Sequence, residues 1–407
     1  MPRLPVVLAS LCLVAALVPP AAAEPIRSDP PTVAPHDADT VIVRYRTGLS
    51  AATKRRLRRR AGVLRTEATI PRLGARVVAV SGDPVAAAAT LDRSRGVVYA
   101  EPNWIMHATA TPDDPLLPRL YGLERIAGPA GWTAAGLGAY PATGGALVGI
   151  VDTGIDAAHP DLAGKVVACA SATGRGGGDL GTGCEDDNGH GTHVSGTIAA
   201  IADNGLGVAG VSFASPLAMC RALGGEEGSG TVAGVASCIR WAHDRGARVI
   251  SLSLGGPSST TLDRAIRYAW AGGTRKGSVI VAAAGNDGDG TVEYPAGYAS
   301  VVSVAATDRS DEPASFSNAN DDVEVAAPGV DILSTAPGGK YVSLSGTSMA
   351  TPHVAGAAAL LWGLHPRATA AGIRSRLDEA TADLGPPGRD PAYGFGRLDL
   401  ASIEPRG

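Results

Sequence analysis

The sequence of 407 residues lacks several features by which common classes of protein are recognised. After residue 23 it has no apolar segment that approaches the roughly 20 residues a membrane-spanning helix needs. Charged residues make up 18% of the chain and are mostly interspersed, while hydrophobic residues make up 45%. This composition excludes a largely disordered chain, and the length allows one large globular domain plus a smaller one.

Residues 1–23 have the pattern of a secretory signal peptide. Arg3 precedes an apolar run from Leu4 to Val18, and the segment ends in three alanines that are typical of a cleavage site. The run has about 15 residues, which is too short for a transmembrane anchor. We therefore expect a secreted, extracellular product that is free of the membrane once this segment is removed.

The chain also lacks cysteines at the CxxC spacing of zinc clusters, which argues against a zinc site. Of its five cysteines, Cys12 lies within the first 23 residues, and the residue before it is larger than a lipoprotein signal allows. The other four, an even number in an exported chain, predict two disulfide bonds. Three pairings are possible, and we expect sequence neighbours to pair, Cys169 with Cys184 and Cys220 with Cys238.

Residues 39–107 have the pattern of a small α+β domain. Segments typical of strands and helices follow one another in the order strand, helix, strand, helix, strand. They are DTVIVRYRTG, SAATKRRLRRRAG, GARVVAVSG, DPVAAAATLDRSRG and VVYAEPNWIMH. The segment ATATPDDP comes next and reads as a linker to the rest of the chain.

The charge of the chain divides at the same place. Residues 24–111 hold 14 Lys and Arg against 8 Asp and Glu, a net charge of +6. Residues 112–407 hold 20 against 31, a net charge of −11, and with Arg3 these values sum to −4. The run KRRLRRR is typical of a solvated helix face or a nucleic-acid patch, but we do not expect nucleic-acid binding by an exported chain whose larger part is acidic. We expect the basic domain to dock on the acidic one, since complementary charge steers association.

From about residue 145 the sequence alternates strands and helices. The apolar runs ALVGIVDTG, ARVISLSLGG and GSVIVAAAGN each end in a polar or glycine turn, as buried strands do. The helical stretches are GHGTHVSGTIAAIA, TVAGVASCIRWAHDRG, TTLDRAIRYAWAGG and SMATPHVAGAAALLWGLHP. This order predicts the α/β class with a doubly wound, mostly parallel sheet, in which active sites lie at the carboxyl ends of the strands.

Three residues with catalytic chemistry fall where that rule expects them. Asp152 ends the first strand, His190 begins a helix, and Ser348 stands at the start of a long apolar helix. We expect Pro352 in the first turn of that helix, where a proline costs little because the N–H groups there lack intrahelical partners. The order along the chain is Asp, His, Ser, with spacings of 38 and 158 residues. A lipase or esterase of the α/β-hydrolase type would instead carry GxSxG and the order Ser, Asp, His.

The segments VDTGID, NGHGTHVSGT and GTSMATPHVAG resemble the three active-site motifs of the subtilisin-like serine proteases. The resemblance spans roughly residues 145–400, and residues 39–107 resemble the inhibitory propeptide of that family. It implies a propeptide at 24–111, a peptidase domain at 112–407, and a monomeric endopeptidase that acts on proteins or peptides. We therefore expect a self-processing zymogen that is inhibited by its own propeptide and cleaved between about His107 and Pro112.

The roles of these residues follow from the chemistry. A serine hydroxyl is a poor nucleophile until a base takes its proton, so His190 would be the base for Ser348. Asp152 would fix the imidazole tautomer and stabilise imidazolium. Asn286, in VAAAGND, matches the family's oxyanion-hole asparagine. The alternative is a catalytically inactive binding protein on the same fold, which an activity assay would reveal.

Two segments match the strands that hold extended substrate in this family. They are Ser253, Leu254 and Gly255 on one side, and Gly228, Ser229 and Gly230 on the other. A peptide between them would be bound by strand addition, and the glycines allow a close backbone approach.

The resemblance also places a residue of the primary specificity pocket. In the family, the segment before the YP of DGDGTVEYPAGY forms the bottom of this pocket, where this chain has Glu293. Asp287 matches a position at the rim. Two carboxylates would favour a cationic side chain before the scissile bond. The alternative is that Glu293 points to solvent or pairs with a surface arginine, which leaves a broad apolar pocket.

The segment DNGLGVAG resembles the family's calcium loop. The resemblance implies a Ca²⁺ site formed by Asp161, the side chain of Asn204 and the carbonyls of Leu206 and Val208, with Asp113 or Asp114 completing it. The same segment spells GxGxxG, but it follows a helix rather than a strand, so a dinucleotide site is not expected. His190 and His193 do not indicate zinc, because HExxH is missing.

Overall fold

The computed structural model describes residues 36–104, 112–137, 145–173, 176, 178–272 and 276–403. The expected signal peptide and most of the expected processing segment lie outside these residues. The chain divides into two compact units, residues 1–106 and 107–407.

The first unit is a four-stranded antiparallel sheet with two helices. The sheet has the order β2-β3-β1-β4. Its strands are β1 (His36–Tyr45), β2 (Val63–Ile70), β3 (Ala75–Val80) and β4 (Val97–Trp104), and its helices are α1 (Ala51–Arg60) and α2 (Pro84–Asp92). Valines of β1 and β3 pack with Leu91 of α2 to form its own core. Helix α1 buries none of its residues.

The predicted element order of this unit was wrong by one strand, because β2 follows α1 directly. Strand β2 lies at the edge of the sheet and has no fully buried residue. Two register shifts interrupt its pairing with β3. The alternation of apolar and polar residues by which strands are recognised is therefore absent from VLRTEATI.

The second unit is built on a nine-stranded sheet with the order β16-β17-β13-β12-β11-β10-β5-β7-β6. All neighbours are parallel except β16 and β17, which confirms the doubly wound, mostly parallel class. The strands of this sheet are β5 (Val148–Asp152), β6 (Val166–Ser171), β7 (Leu217–Arg221), β10 (Val249–Leu252), β11 (Val279–Ala283), β12 (Val302–Thr307), β13 (Val323–Pro328), β16 (Thr381–Ala382) and β17 (Arg397–Leu398). Two hairpins, β8 (Leu223–Gly224) with β9 (Ser229–Gly230) and β14 (Ile332–Ala336) with β15 (Lys340–Leu344), lie outside it.

Helices cover both faces of this sheet. The helices of the unit are α3 (Tyr121–Arg125), α4 (Gly128–Ala134), α5 (His190–Ala199), α6 (Val232–Asp244), α7 (Thr260–Ala271), α8 (Thr347–Leu364) and α9 (Ala370–Glu379). Alternate strand residues face opposite cores: Ile150 packs in the core that contains α5 and α8, and Val151 in the one that contains α6 and α7. The central strands are therefore buried on both faces and read as continuous apolar runs.

Strand β5 occupies the point where the strand order reverses. The chain continues from β5 to β6 and β7 on one side, and later to β10 and its neighbours on the other. Such a reversal opens a crevice at the carboxyl end of the strand, which here is Asp152.

Two disulfide bonds lie at the β6–β7 edge of the sheet. Cys169 is bonded to Cys184 and Cys220 to Cys238, the pairing expected of sequence neighbours. The first bond joins β6 to the loop that leads to α5, and the second joins β7 to α6. In the described ranges, no helix is long and apolar enough to cross a membrane.

Candidate active site

A short hydrogen bond joins the end of β5 to the start of α5. The Nδ1 of His190 lies 2.7 Å from Oδ1 of Asp152, which is fully buried. The N–H of Thr153 also donates to this oxygen at 2.7 Å. The carboxylate thus fixes His190 in the tautomer that carries its proton on Nδ1, and Nε2 remains free to accept one.

The environment of His190 raises its pKa above the ordinary imidazole value. Burial acts to lower the pKa, but the charge of Asp152 and its hydrogen bond to the ring outweigh burial, and the charge of Asp186 adds to them. Imidazolium is therefore stabilised next to the buried carboxylate, as a general base requires.

Asp186 is a site residue that the sequence patterns did not single out. Its Oδ1 accepts hydrogen bonds from the hydroxyl of Thr153 and the N–H of Gly189, and its Oδ2 accepts from the N–H and hydroxyl of Thr192. One carboxylate therefore connects the residue after Asp152 to the first turn of α5. The N-cap of α5 is Gly189, so Asp186 does not occupy the position at which a capping residue is recognised, and no local signal identifies it.

Ser348 is the second residue of α8 and lies near the end of β10. Its hydroxyl donates to the carbonyl of Ser253 at 3.3 Å, and no hydrogen bond to His190 forms in the described structure. Nucleophile and base often tighten only when substrate is present, so this rotamer is compatible with catalysis. As the second residue of α8, Ser348 also lies at the positive end of the helix dipole.

Our expectation that Pro352 occupies the first turn of α8 was wrong. The helix begins at Thr347, and Pro352 lies in its second turn. A proline there removes the hydrogen bond to the carbonyl four residues earlier, which belongs to Ser348. That carbonyl instead accepts a hydrogen bond from the hydroxyl of Ser253 at 2.9 Å.

Asn286 follows β11 and presents its amide group to the start of α8. Its Oδ1 accepts from both the N–H and the hydroxyl of Thr347, each at 2.9 Å. These bonds orient the amide so that its NH₂ remains available as a donor beside Ser348. Gly285 makes the turn before it at φ +112°, where a Cβ would lie 2.3 Å from the Asn318 side chain.

The two predicted substrate segments line one groove of about 470 Å³, together with His190. Gly228 lies in the turn between β8 and β9, while Ser229 and Gly230 form β9. Ser253, Leu254 and Gly255 extend beyond β10 on the opposite side. Asn188 donates to the carbonyls of Gly225 and Glu226 at 3.1 and 3.0 Å, and so fastens the hairpin to the loop before His190.

Glu293 is half-buried next to Gly255, which lines this groove. A Cβ placed on Gly255 would lie 1.6 Å from its Oε2, and one on Gly285 would lie 3.1 Å from its Cγ. The carboxylate therefore lies between the segments that contain Leu254 and Asn286. Burial raises the pKa of Glu293, and the charge of Asp287 raises it further.

The residues expected to bind calcium form one cluster. Asp161 and Asp114 are buried, with exposed fractions of 0% and 3%. Asp161 accepts from the Asn204 amide, the N–H of Val208 and the hydroxyl of Tyr341, each at 2.8 to 2.9 Å. Leu206 donates its N–H to Oδ1 of Asn204 at 2.8 Å.

The two buried carboxylates of this cluster carry negative charge that a bound cation would balance. Burial raises the pKa of Asp114, hydrogen bonds from the backbone of Asp203 and Asn204 oppose this, and the charge of Asp161 raises it again. Within the described ranges, neither buried carboxylate forms an ion pair with Lys or Arg. The same ranges contain no group of three or more His, Cys, Asp or Glu side chains that could by themselves hold a metal ion, so amide and carbonyl oxygens would have to complete the coordination.

Comparisons with known proteins agree with this geometry. The model of the subtilase family matches residues 143–396, and the model described as fervidolysin N-terminal prodomain matches residues 23–103. The chain therefore belongs to the subtilase family and is a serine endopeptidase with an N-terminal prodomain.

Two relatives and two solved structures illustrate the similarity. Thermitase from Thermoactinomyces vulgaris is 46% identical over 275 residues, which cover 67% of this chain and 92% of the relative. Subtilisin DY from Bacillus licheniformis is 48% identical over 243 residues, which cover 58% and 84%. A protease structure from Pseudoalteromonas arctica superposes with a TM-score of 0.64 at 31% identity, covering 72% of this chain and 98% of the other. Sphericase gives a TM-score of 0.58 at 34% identity, covering 63% and 93%.

Proposed function

We propose that the protein is a secreted endopeptidase that is made as a zymogen, removes its own prodomain and hydrolyses peptide bonds through an acyl-enzyme. The observation that carries this proposal is the arrangement of a buried carboxylate, an imidazole with a raised pKa and an oriented amide around Ser348. Residues 1–23 support export, and the prodomain supports synthesis as a precursor.

The reaction assigns one role to each residue. His190 Nε2 takes the proton of Ser348 as its Oγ attacks the peptide carbonyl, and Asp152 stabilises the imidazolium that forms. The NH₂ of Asn286 donates to the oxyanion of the tetrahedral intermediate. His190 then gives its proton to the leaving amine. In the second half of the reaction His190 takes a proton from the water that attacks the acyl-enzyme, and returns it to Ser348 Oγ as the product acid leaves.

The substrate would be a peptide in extended conformation, bound between the 228–230 and 253–255 segments. The groove between the two segments supports this mode of binding, which reads backbone more than side chains. Glu293 and Asp287 would add a preference for Arg or Lys before the scissile bond. The position of Glu293 between Gly255 and Gly285 supports the pocket over the solvent-facing alternative.

A bound Ca²⁺ would supply positive charge to the cluster around Asp161. Asp161, Asp114 and Asn204 would hold it with side-chain oxygens, and Leu206 and Val208 with carbonyls. To present its oxygen, the Asn204 amide would turn away from Asp161. The role is structural, since the cluster holds the loop after α5 rather than the reacting groups.

The proposal is tested with Ser348→Ala. We expect this variant to lose peptide hydrolysis and to accumulate as unprocessed precursor, because one nucleophile performs both reactions. Mass spectrometry of the purified secreted protein locates the cleavage, which we expect between His107 and Pro112. A Ser348→Ala precursor that still matures in pure form would show that the chain does not process itself.

A further inference from the structure

Helix α8 contains a break in its hydrogen bonding next to the nucleophile. Pro352 has no N–H, so the carbonyl of Ser348 lacks the partner that a helix of Thr347–Leu364 would otherwise provide. The surrounding helix is almost entirely buried, so water is a poor substitute donor. Leaving such a carbonyl unpaired is costly, because its desolvation is not repaid.

Ser253 supplies the missing donor from a different element. It follows β10 directly, is only 4% exposed, and its hydroxyl lies 2.9 Å from the Ser348 carbonyl. In the other direction, the Ser348 hydroxyl donates to the Ser253 carbonyl at 3.3 Å. The two serines are therefore joined by two hydrogen bonds, one through each side chain.

We propose that the side chain of Ser253 is a positioning element for the nucleophile, separate from the role of its backbone in binding substrate. The hydroxyl takes the place of the helix hydrogen bond that Pro352 removes. It thereby fixes the peptide unit between Ser348 and Met349, and with it the direction in which the Ser348 side chain leaves the helix. The inference concerns the serine endopeptidase activity itself and does not depend on the proposed specificity.

Removal of the hydroxyl tests this role. In mature Ser253→Ala we expect kcat to fall about tenfold, while KM stays within about twofold, because a small misplacement of a reacting group slows the chemical step rather than binding. The control is Ser251→Ala. Ser251 lies two residues earlier in β10 and is equally buried, but its hydroxyl has no partner among the described residues, so its loss should leave kcat unchanged.

A second substitution distinguishes positioning from general damage. Pro352→Ala returns an N–H to the helix, which can donate to the Ser348 carbonyl in place of Ser253. We therefore expect Ser253→Ala combined with Pro352→Ala to recover most of the kcat that Ser253→Ala loses. If Ser253→Ala acted only by disturbing the substrate-binding segment 253–255, a change in α8 would not restore kcat.

If Ser253→Ala is too unstable to mature, a matched pair of variants tests the same role. Ser253→Thr and Ser253→Val have nearly the same shape, but only threonine keeps the donor. We expect the threonine variant to have a kcat about tenfold higher than the valine variant. Equal kcat values for this pair would overturn the proposal, and so would an unchanged kcat in Ser253→Ala. The proposal would also be overturned if Ser253→Ala lost activity at an unchanged melting temperature and Pro352→Ala did not restore it.

Discussion

At the scale of single residues, Asp152 is completely buried whereas His190 is half-buried at the groove. The carboxylate therefore acts on the imidazole from the side that water does not reach, and a charge in such a setting is weakly screened. This placement explains why the pKa of His190 is raised although burial alone would lower it.

The raised pKa predicts the pH dependence of catalysis. His190 must be neutral to act as a base, so kcat/KM should fall as the pH drops through the raised pKa, above the ordinary imidazole range. Asp186→Asn removes one of the charges that raise this pKa, so the acidic limb should move to lower pH. The control is Asp187→Asn, whose carboxylate is paired with Arg221. An acidic limb that stays in place in Asp186→Asn would contradict this electrostatic account.

Glu293 allows a test of specificity. We expect kcat/KM to be higher for Arg or Lys than for Phe or Leu before the scissile bond, and Glu293→Gly should lower that ratio roughly tenfold, about 1.4 kcal/mol. Glu293→Gln should act similarly, because it removes only the charge. Asp289→Asn serves as the control, since this exposed carboxylate bonds to Thr291 in the same loop. If the unsubstituted enzyme already prefers Phe or Leu, and Glu293→Gly leaves the ratio of kcat/KM values unchanged, the carboxylate does not reach the pocket.

At the scale of elements, the sequence predicts best where one physical signal dominates. Strands β5, β10 and β11 are buried on both faces, so their apolar runs were recognisable without any structure. The edge strand β2 is half-exposed and bulged, and it was missed. The sequence also does not show at which residue a helix begins, which is why Pro352 was placed one turn too early.

Contacts between distant segments could not be predicted at all without the resemblance. Asp186 and Thr153 are 33 residues apart, and Ser253 and Ser348 are 95 apart, so no local period links them. Tyr341, which donates to Asp161 from 180 residues away, carries no motif. The cluster of expected calcium ligands was recognisable only as a resemblance, and only the fold shows that Asp114 is buried while Asp113 is exposed.

The loop after α5 is the element on which calcium should act. A ligand that binds only the folded state stabilises it by about 2.7 kcal/mol when its free concentration is 100 times Kd. Ca²⁺ should therefore raise the melting temperature by about 5 °C or more. Asp161→Asn should abolish this increment, whereas Asp113→Asn, at an exposed neighbour, should keep most of it. Differential scanning calorimetry with Ca²⁺ and with chelator provides the measurement. Identical melting temperatures in both would remove calcium from the proposal.

At the scale of the whole molecule, the prodomain and the peptidase carry opposite charge, +6 and −11 by sequence. The separate prodomain should inhibit the mature enzyme, and its inhibition constant should weaken with added salt, because exposed charges are screened within about 8–10 Å. Neutralising the exposed arginines of α1 to glutamine should weaken inhibition at low salt and flatten the salt dependence. Inhibition that is equal at low and high salt would remove the electrostatic part of this idea.

The two disulfide bonds give the molecule a dependence on its redox surroundings. They join residues 15 and 18 positions apart, and both lie beside the segments that carry His190 and the β8–β9 hairpin. Closing loops of this length constrains the unfolded chain by about 3 kcal/mol each in the entropic model. In a reducing cytoplasm neither bond persists. A reduced copy of the chain therefore lacks this part of its stability, so under the export that we propose the fold itself would favour activity outside the reducing cytoplasm.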